Sequence, residues 1–94
     1  MPEIKITIQH KAGLHARPAA LFVQTAKRYQ SDIVVSHGSR SANAKSILSV
    51  LALGASQGAE ITLRADGQDA DAALEALQTL IASNFGEATA PAAN

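Results

Sequence analysis

The chain of 94 residues contains no cysteine and no tryptophan, and it has only one tyrosine and two phenylalanines. Without cysteine the chain can form no disulfide framework, iron–sulfur cluster or cysteine-ligated zinc site. This composition fits a reducing compartment, so we expect a cytoplasmic protein. Three aromatic rings are too few for platforms that stack single-stranded nucleic acid. Because the net charge is also zero, we expect no nucleic-acid partner.

Long apolar runs are missing as well. No stretch approaches the roughly 18 residues of a membrane span, so we expect neither membrane insertion nor a signal peptide. The composition, 47% hydrophobic and 17% charged, is typical of a globular domain. We expect one domain over residues 1–87, followed by a disordered tail rich in Ala, Pro and Thr over residues 88–94.

The charges are unevenly distributed although they sum to zero. Residues 1–64 hold all eight basic and three acidic side chains, a net charge of +5, and residues 65–94 carry −5. This asymmetry is consistent with a basic surface that meets acidic partners or phosphate. It is equally consistent with two solvated faces that simply differ.

Hydrophobic periodicity predicts the element order β-α-β-β-α-β-α. The expected fold class is α+β, an open-faced β-sandwich whose four-stranded antiparallel sheet has three helices packed on one face. Strands are predicted at residues 3–8, 33–35, 40–43 and 60–65, and helices at residues 16–28 and 46–53 and after Asp69, which would cap the last helix.

The string Gly13-Leu14-His15-Ala16-Arg17-Pro18-Ala19-Ala20 joins the first strand to the first helix. Proline is tolerated only in the first turn of a helix, so Pro18 places the helix start near His15 or Ala16. His15 then occupies the N-cap position, where Ser, Thr, Asp or Asn is the usual residue. A histidine there is a poor structural choice, which suggests a functional one.

The helix start favours anions, because its free N–H groups and positive dipole end face outward. The same field, together with Arg17, disfavours an imidazolium and lowers the expected pKa of His15. We therefore expect His15 to be mostly neutral at pH 7, with a ring nitrogen available as a nucleophile. A phosphoryl group on that nitrogen would be stabilised by the helix N–H groups and the guanidinium.

The string resembles the active-site signature of the HPr family, the histidine-containing phosphocarriers of the bacterial phosphoenolpyruvate:sugar phosphotransferase system. The resemblance covers residues 1 to about 87. It extends to a second signature and two short strings, namely Ala44-Lys45-Ser46-Ile47-Leu48 with Leu53-Gly54 and Gln57-Gly58, then Asp66-Gly67 and Phe85-Gly86-Glu87.

The resemblance implies that His15 accepts a phosphoryl group at Nδ1 from phosphorylated enzyme I and passes it to sugar-specific IIA domains. It implies that Arg17 stabilises the group in transfer and that the backbone N–H groups of Ala16 and Arg17 complete the cradle. Such a protein is a carrier without cofactor or metal, not a free-standing enzyme. Ala12 departs from the small polar residue of many members, which could alter the lifetime of the phosphorylated form.

Ser46 has a sufficient structural explanation as the N-cap of the second helix. In some branches of the family a dedicated kinase, HPr kinase/phosphorylase, phosphorylates this serine. A phosphate at a helix N-terminus is electrostatically tolerated, so regulation at Ser46 is a further expectation.

Apolar residues lie on two sides of the second helix, so it is either buried or shows one side to a partner. The resemblance implies docking of enzyme I and IIA domains by a monomeric protein. The residues expected in this docking face are Ala20, Lys27, Ile47, Leu48 and Leu51. Lys45 is expected to add a basic contact at its rim.

Three alternatives to a sugar-branch carrier remain. The first is an HPr-like regulatory protein that acts through Ser46 in catabolite regulation, although known relatives of that kind lack the histidine. The second is the nitrogen-regulatory phosphotransfer branch, which has the same site chemistry. The third, a hydrolase with His15 as general base, lacks a nucleophile and a carboxylate orienter within the motif. His10 and His37 have no second ligand at metal spacing and are interpreted as turn or strand-end residues.

Overall fold

A computed structural model describes residues 2–9 and 16–83 of the chain. Within these residues, four strands and three helices follow one another in the predicted order. They are β1 (Glu3–Thr7), α1 (Ala16–Ala26), β2 (Asp32–His37), β3 (Arg40–Asn43), α2 (Ile47–Ala52), β4 (Glu60–Asp66) and α3 (Ala70–Ala82). The predicted tail at 88–94 lies outside the described residues, as does the Phe85-Gly86-Glu87 string.

The strands form one antiparallel sheet in the order β1-β4-β2-β3. Ile4 lies opposite Leu63 on β4, and Val35 lies between Leu63 of β4 and Ala42 of β3. β2 and β3 are joined by the two-residue turn at Gly38-Ser39, where Gly38 has a φ of +62°. The hairpin predicted at this glycine is therefore confirmed, because a left-handed backbone strongly favours glycine.

The helices cover one face of the sheet, and the core lies between these two layers. β2 and β4 alternate buried and exposed residues, which is the pattern of strands with one solvated face. Phe22 of α1 is the largest fully buried side chain, and Leu77 of α3 is also fully buried. The predicted α+β open-faced sandwich is confirmed.

The first helix follows its predicted apolar stripe. Its buried residues are Pro18, Ala19, Phe22, Val23 and Ala26. The helix ends at Ala26 rather than at Arg28, because residues 27 and 28 already form the turn that leads to β2.

Among the described helices, α3 is the longest with 13 residues, whereas a helix needs about 20 to cross a bilayer. Within the two described ranges, no helix has the length and apolar character of a membrane span.

Candidate functional site

The first turn of α1 begins immediately after His15. Ala16 and Arg17 are exposed there, whereas Pro18 is fully buried. The buried pyrrolidine ring fixes how the helix start sits on the core, and the exposed Arg17 has its side chain available to a ligand. His15, Ala12 and His10 lie outside the described residues, so the role predicted for His15 stays a prediction.

The chain that leads into the motif is held by the turn after α2. The N–H of Ile8 donates to the carbonyl of Ala59 at 2.8 Å, and the carbonyl of Ile8 accepts from the N–H of Gly58 at 2.8 Å. The side-chain amide of Gln57 donates to the carbonyl of Gln9 at 3.3 Å. The segment between Gln9 and Ala16 therefore starts and ends at positions that are fixed by the fold, and Gln57-Gly58 contributes to one of them.

α2 carries the second predicted motif. Ser46 is its N-cap, with an extended backbone, and its hydroxyl oxygen accepts from the N–H of Ser49 at 3.4 Å. The structural prediction for Ser46 is confirmed. The residue is half-buried, and its hydroxyl is engaged in the cap.

The two apolar sides of α2 have different surroundings. Val50 is fully buried and Leu53 is 3% exposed, whereas Leu48 is 77% exposed and Ile47 is 39% exposed. α1 packs against α2, so the start of α1 and the exposed side of α2 belong to the helical side of the molecule. An exposed Leu48 cannot be explained as core, which favours a role in binding.

The other residues of the expected docking face differ in exposure. Ala20 and Leu51 are half-buried, and Lys27 is exposed just beyond the end of α1. The fold thus places Ala20 and Leu51 on two helices that contact each other and Lys27 directly after the first of them, but their role in docking stays a prediction.

Lys45 does not point outward as a rim cation. Its Nζ donates to the carbonyl oxygen of Tyr29 at 2.7 Å, and the residue is half-buried. Tyr29 belongs to the turn that ends α1, since its N–H donates to the carbonyl of Ala26 at 3.2 Å. Lys45 therefore bridges the start of α2 and the end of α1, a contact that no periodicity in the sequence indicates.

At the C-terminal end of α2, side chains of the β2–β3 hairpin contact the last carbonyl groups. A guanidinium nitrogen of Arg40 donates to the carbonyl of Ala52 at 3.2 Å, and Nδ1 of His37 lies 3.2 Å from the carbonyl oxygen of Leu53. His37 is thus the strand-end histidine that the sequence predicted. Basic side chains near the last carbonyls of a helix are favourable, so both ends of this short helix have side-chain partners.

Asp69 stands at the N-cap position of α3, but the bond predicted for it is wrong. Its carboxylate makes no capping bond. Instead it accepts from the N–H of Gln30 at 2.8 Å, from the N–H of Ser31 at 2.9 Å and from the Ser31 hydroxyl. The Ser31 hydroxyl bond, followed by the Gln30 N–H, lowers the pKa of Asp69 below its usual value.

The described residues contain no group of three or more His, Asp or Glu side chains that could hold a metal ion. What this part of the molecule offers a ligand is an exposed arginine at the start of α1 and an exposed apolar side of α2, a helix that packs against α1. That combination suits a transferred anionic group and a protein partner.

Comparison with known proteins agrees with this description. The family model for the PTS HPr component phosphorylation site matches residues 2–83. The phosphocarrier protein HPr of Xylella fastidiosa strain Temecula1 is 45% identical over 89 residues, which is 95% of this chain and 100% of that protein.

Solved structures show the same fold. HPr-C-His from Thermoanaerobacter tengcongensis superposes with a TM-score of 0.90 at 51% identity and covers 94% of this chain and 99% of its own. The Bacillus subtilis catabolite repression containing protein Crh, described as a swapped dimer, has a TM-score of 0.69 at 42% identity over 90% of this chain and 97% of its own. The chain belongs to the HPr family of phosphocarriers of the phosphotransferase system, as its motifs predicted.

Proposed function

We propose that this protein is a phosphoryl carrier between two protein partners. It accepts a phosphoryl group on His15 from phosphorylated enzyme I and passes it to a sugar-specific IIA domain. The observation that carries the proposal is the family match across residues 2–83, which includes His15 and Arg17. The carrier is proposed to work in the cytoplasm as a monomer, in contrast to the dimer described for Crh.

The start of α1 supports this chemistry. A neutral ring nitrogen of His15 attacks the phosphorus of the donor, a nitrogen–phosphorus bond forms at His15, and the donor's bond to phosphorus breaks with its electron pair returning to the donor. The family resemblance assigns the attack to Nδ1. The exposed Arg17 and the N–H groups of Ala16 and Arg17 then face the developing negative charge, where preorganised donors are most effective.

Transfer to a second protein requires an acceptor group at the surface and a docking face beside it. Leu48 is largely exposed and Ile47 is partly exposed on α2, which packs against α1. An exposed apolar patch and a cationic group on two helices that pack together suit partners that change during each cycle, because the same face has to dock the donor and then the acceptor. We infer that enzyme I and the IIA domains use this face in turn, and that the protein does not itself act as an enzyme.

A second function through Ser46 is supported by the 42% identity to Crh. Ser46 lies at the N-terminus of α2, next to the exposed Leu48, so a phosphate there would add negative charge beside the docking face. Phosphorylation by a kinase such as HPr kinase/phosphorylase would then regulate docking without unfolding the helix.

The test is the intact mass of the protein after incubation with phosphoenolpyruvate and enzyme I. We expect one added phosphoryl group that brief acid treatment removes and that His15→Ala prevents. No addition from this donor would contradict the proposed carrier role. A separate incubation with ATP and HPr kinase/phosphorylase tests the regulatory function, which an acid-stable addition that persists in His15→Ala and disappears in Ser46→Ala would support.

A further inference from the structure

We propose that Lys45 is a positioning residue for phosphoryl transfer, because its ammonium bond to the Tyr29 carbonyl sets α2 against α1. The inference rests on the proposed function and names a residue that acts on the docking face through the fold, without touching the partner or the reacting atoms. Its basis is the 2.7 Å contact between Lys45 Nζ and the carbonyl oxygen of Tyr29.

The bond joins the two elements that the proposed transfer needs. Tyr29 closes the turn after α1, the helix whose start carries Arg17. Lys45 directly precedes Ser46, the N-cap of α2, whose next residues are the exposed Ile47 and Leu48. A shift at Lys45 would therefore move the apolar part of the docking face relative to the start of α1.

α2 needs such a support because it has only six residues. Isolated helices of this length are unstable in water, and its cap bond from Ser49 is long, at 3.4 Å. The Lys45 backbone is held as well, since its N–H donates to the Asn43 side chain at 2.9 Å. The ammonium bond is the shortest of the contacts at this end of α2, and a charged donor makes a stronger hydrogen bond than a neutral one.

The acceptor end is equally well fixed. The residues that follow Tyr29 are held by the Asp69 carboxylate, which accepts from the N–H groups of Gln30 and Ser31. The Tyr29 carbonyl is therefore a fixed point, and Lys45 ties the start of α2 to it, whereas Arg40 and His37 contact the other end of the helix. A lysine in this position fixes the arrangement of two helices in the free protein. A lysine at the rim of a docking face instead acts through its charge, and only when a charged partner approaches.

The test compares Lys45→Met with Lys5→Met, the same loss of charge at an exposed position on β1. Amide hydrogen exchange of Val50 and Leu51 is followed in the free protein. We expect exchange about tenfold faster in Lys45→Met and unchanged in Lys5→Met, because one charged hydrogen bond is lost. Lys45→Arg, which keeps a charged donor, should restore most of the protection.

A second readout uses Tyr29, the only tyrosine in a chain without tryptophan. Its near-ultraviolet circular dichroism reports on this junction, and we expect the signal to decrease in Lys45→Met and to be retained in Lys45→Arg. Far-ultraviolet circular dichroism, which reports on the helices and strands as a whole, shows whether Lys45→Met remains folded.

The functional readout is the steady-state transfer from phosphorylated enzyme I. We expect the KM of Lys45→Met to rise about threefold to tenfold, with kcat changed by less than about twofold. The rise should persist between about 50 mM and about 300 mM salt, since screening weakens a rim charge but not a change in geometry. If the wild-type protein accepts phosphoryl groups but Lys45→Met has wild-type amide exchange, or a KM defect that salt abolishes, the positioning role is wrong. If the wild-type protein accepts none, the proposed function itself is wrong and the inference falls with it.

Discussion

Ser46 combines a structural role with a proposed regulatory one. Its hydroxyl oxygen accepts from the N–H of Ser49 and caps α2, so Ser46→Ala removes this capping bond whether or not the protein is ever phosphorylated. We expect the variant to lose about 0.5–1 kcal/mol of unfolding free energy, at the lower end for a cap because the bond is long. Urea denaturation measures the change, with Ser56→Ala, in an exposed loop, as the matched control. Equal stability of the two variants would contradict the capping role.

Leu48 is exposed beyond the needs of the fold. Because 77% of the residue is already exposed, Leu48→Ser should change the unfolding free energy by no more than about 0.5 kcal/mol. We expect it to raise the KM for enzyme I about tenfold, since it removes an exposed apolar side chain from the proposed docking face.

Val34→Ser is the control for Leu48, because Val34 is also exposed, at 39%, but lies on the sheet face opposite the described helices. Steady-state kinetics of both variants with enzyme I should show the defect only for Leu48→Ser. The same KM for both variants would contradict a role of α2 in docking.

At the scale of elements, the turn from β4 into α3 is set by a close approach. Gly67 has a φ of +151°, and a Cβ at this position would lie 2.8 Å from the Cα and 2.9 Å from the Cβ of Ser31. The sequence predicts a turn at Asp66-Gly67, but the glycine is needed because the start of β2 packs against it.

Gly67→Ala therefore meets both a backbone that disfavours side chains and a steric clash. We expect a loss of about 2–4 kcal/mol in unfolding free energy. Gly54→Ala is the matched control, since Gly54 also has a positive φ, of +66°, but open space around its Cβ position. It should lose only about 1–2 kcal/mol. Thermal or urea unfolding measures both, and equal losses would show that the approach to Ser31 costs nothing.

At the scale of the whole molecule, Asp69 joins the start of α3 to the start of β2 and makes stability depend on pH. Its hydrogen bonds lower its pKa in the folded state, so the ionised carboxylate stabilises the fold. This contribution is fully present above the unfolded-state pKa of about 4 and is lost as the pH falls through the folded-state pKa.

We expect Asp69→Asn to be clearly less stable than the wild-type protein at pH 7 and to approach it at acidic pH. Urea midpoints at pH 7 and at about pH 2.5 measure the difference. Ser31→Ala removes one of the donors to Asp69, so it should remove only some of the pH-dependent contribution to the unfolding free energy. A difference between Asp69→Asn and the wild-type protein that is the same at both pH values would show that the carboxylate charge contributes nothing.

The element order could be predicted because it depends on neighbours along the chain. The stripe of Ala19, Phe22, Val23 and Ala26 requires helical spacing, and Ser46 caps the helix that begins one residue later. Pro18 in the first turn and glycine at the β2–β3 hairpin are equally local constraints. The motif from Gly13 to Ala19 indicated the family because it is a run of consecutive residues and therefore visible in the sequence.

Other features were decided by the tertiary structure alone. The partners of Asp69 lie 38 and 39 residues away, and the Lys45–Tyr29 bond spans 16. A carboxylate at an N-cap position bonds to the helix by default, and only the packing of α3 beside the start of β2 offered Asp69 three other donors. The sequence likewise predicts a surface cation at Lys45, and only the fold brings the turn after α1 within reach of its ammonium group. Local sequence thus determined which elements form and where the motif lies, and long-range packing decided which polar groups meet, because those groups share no neighbourhood in the chain.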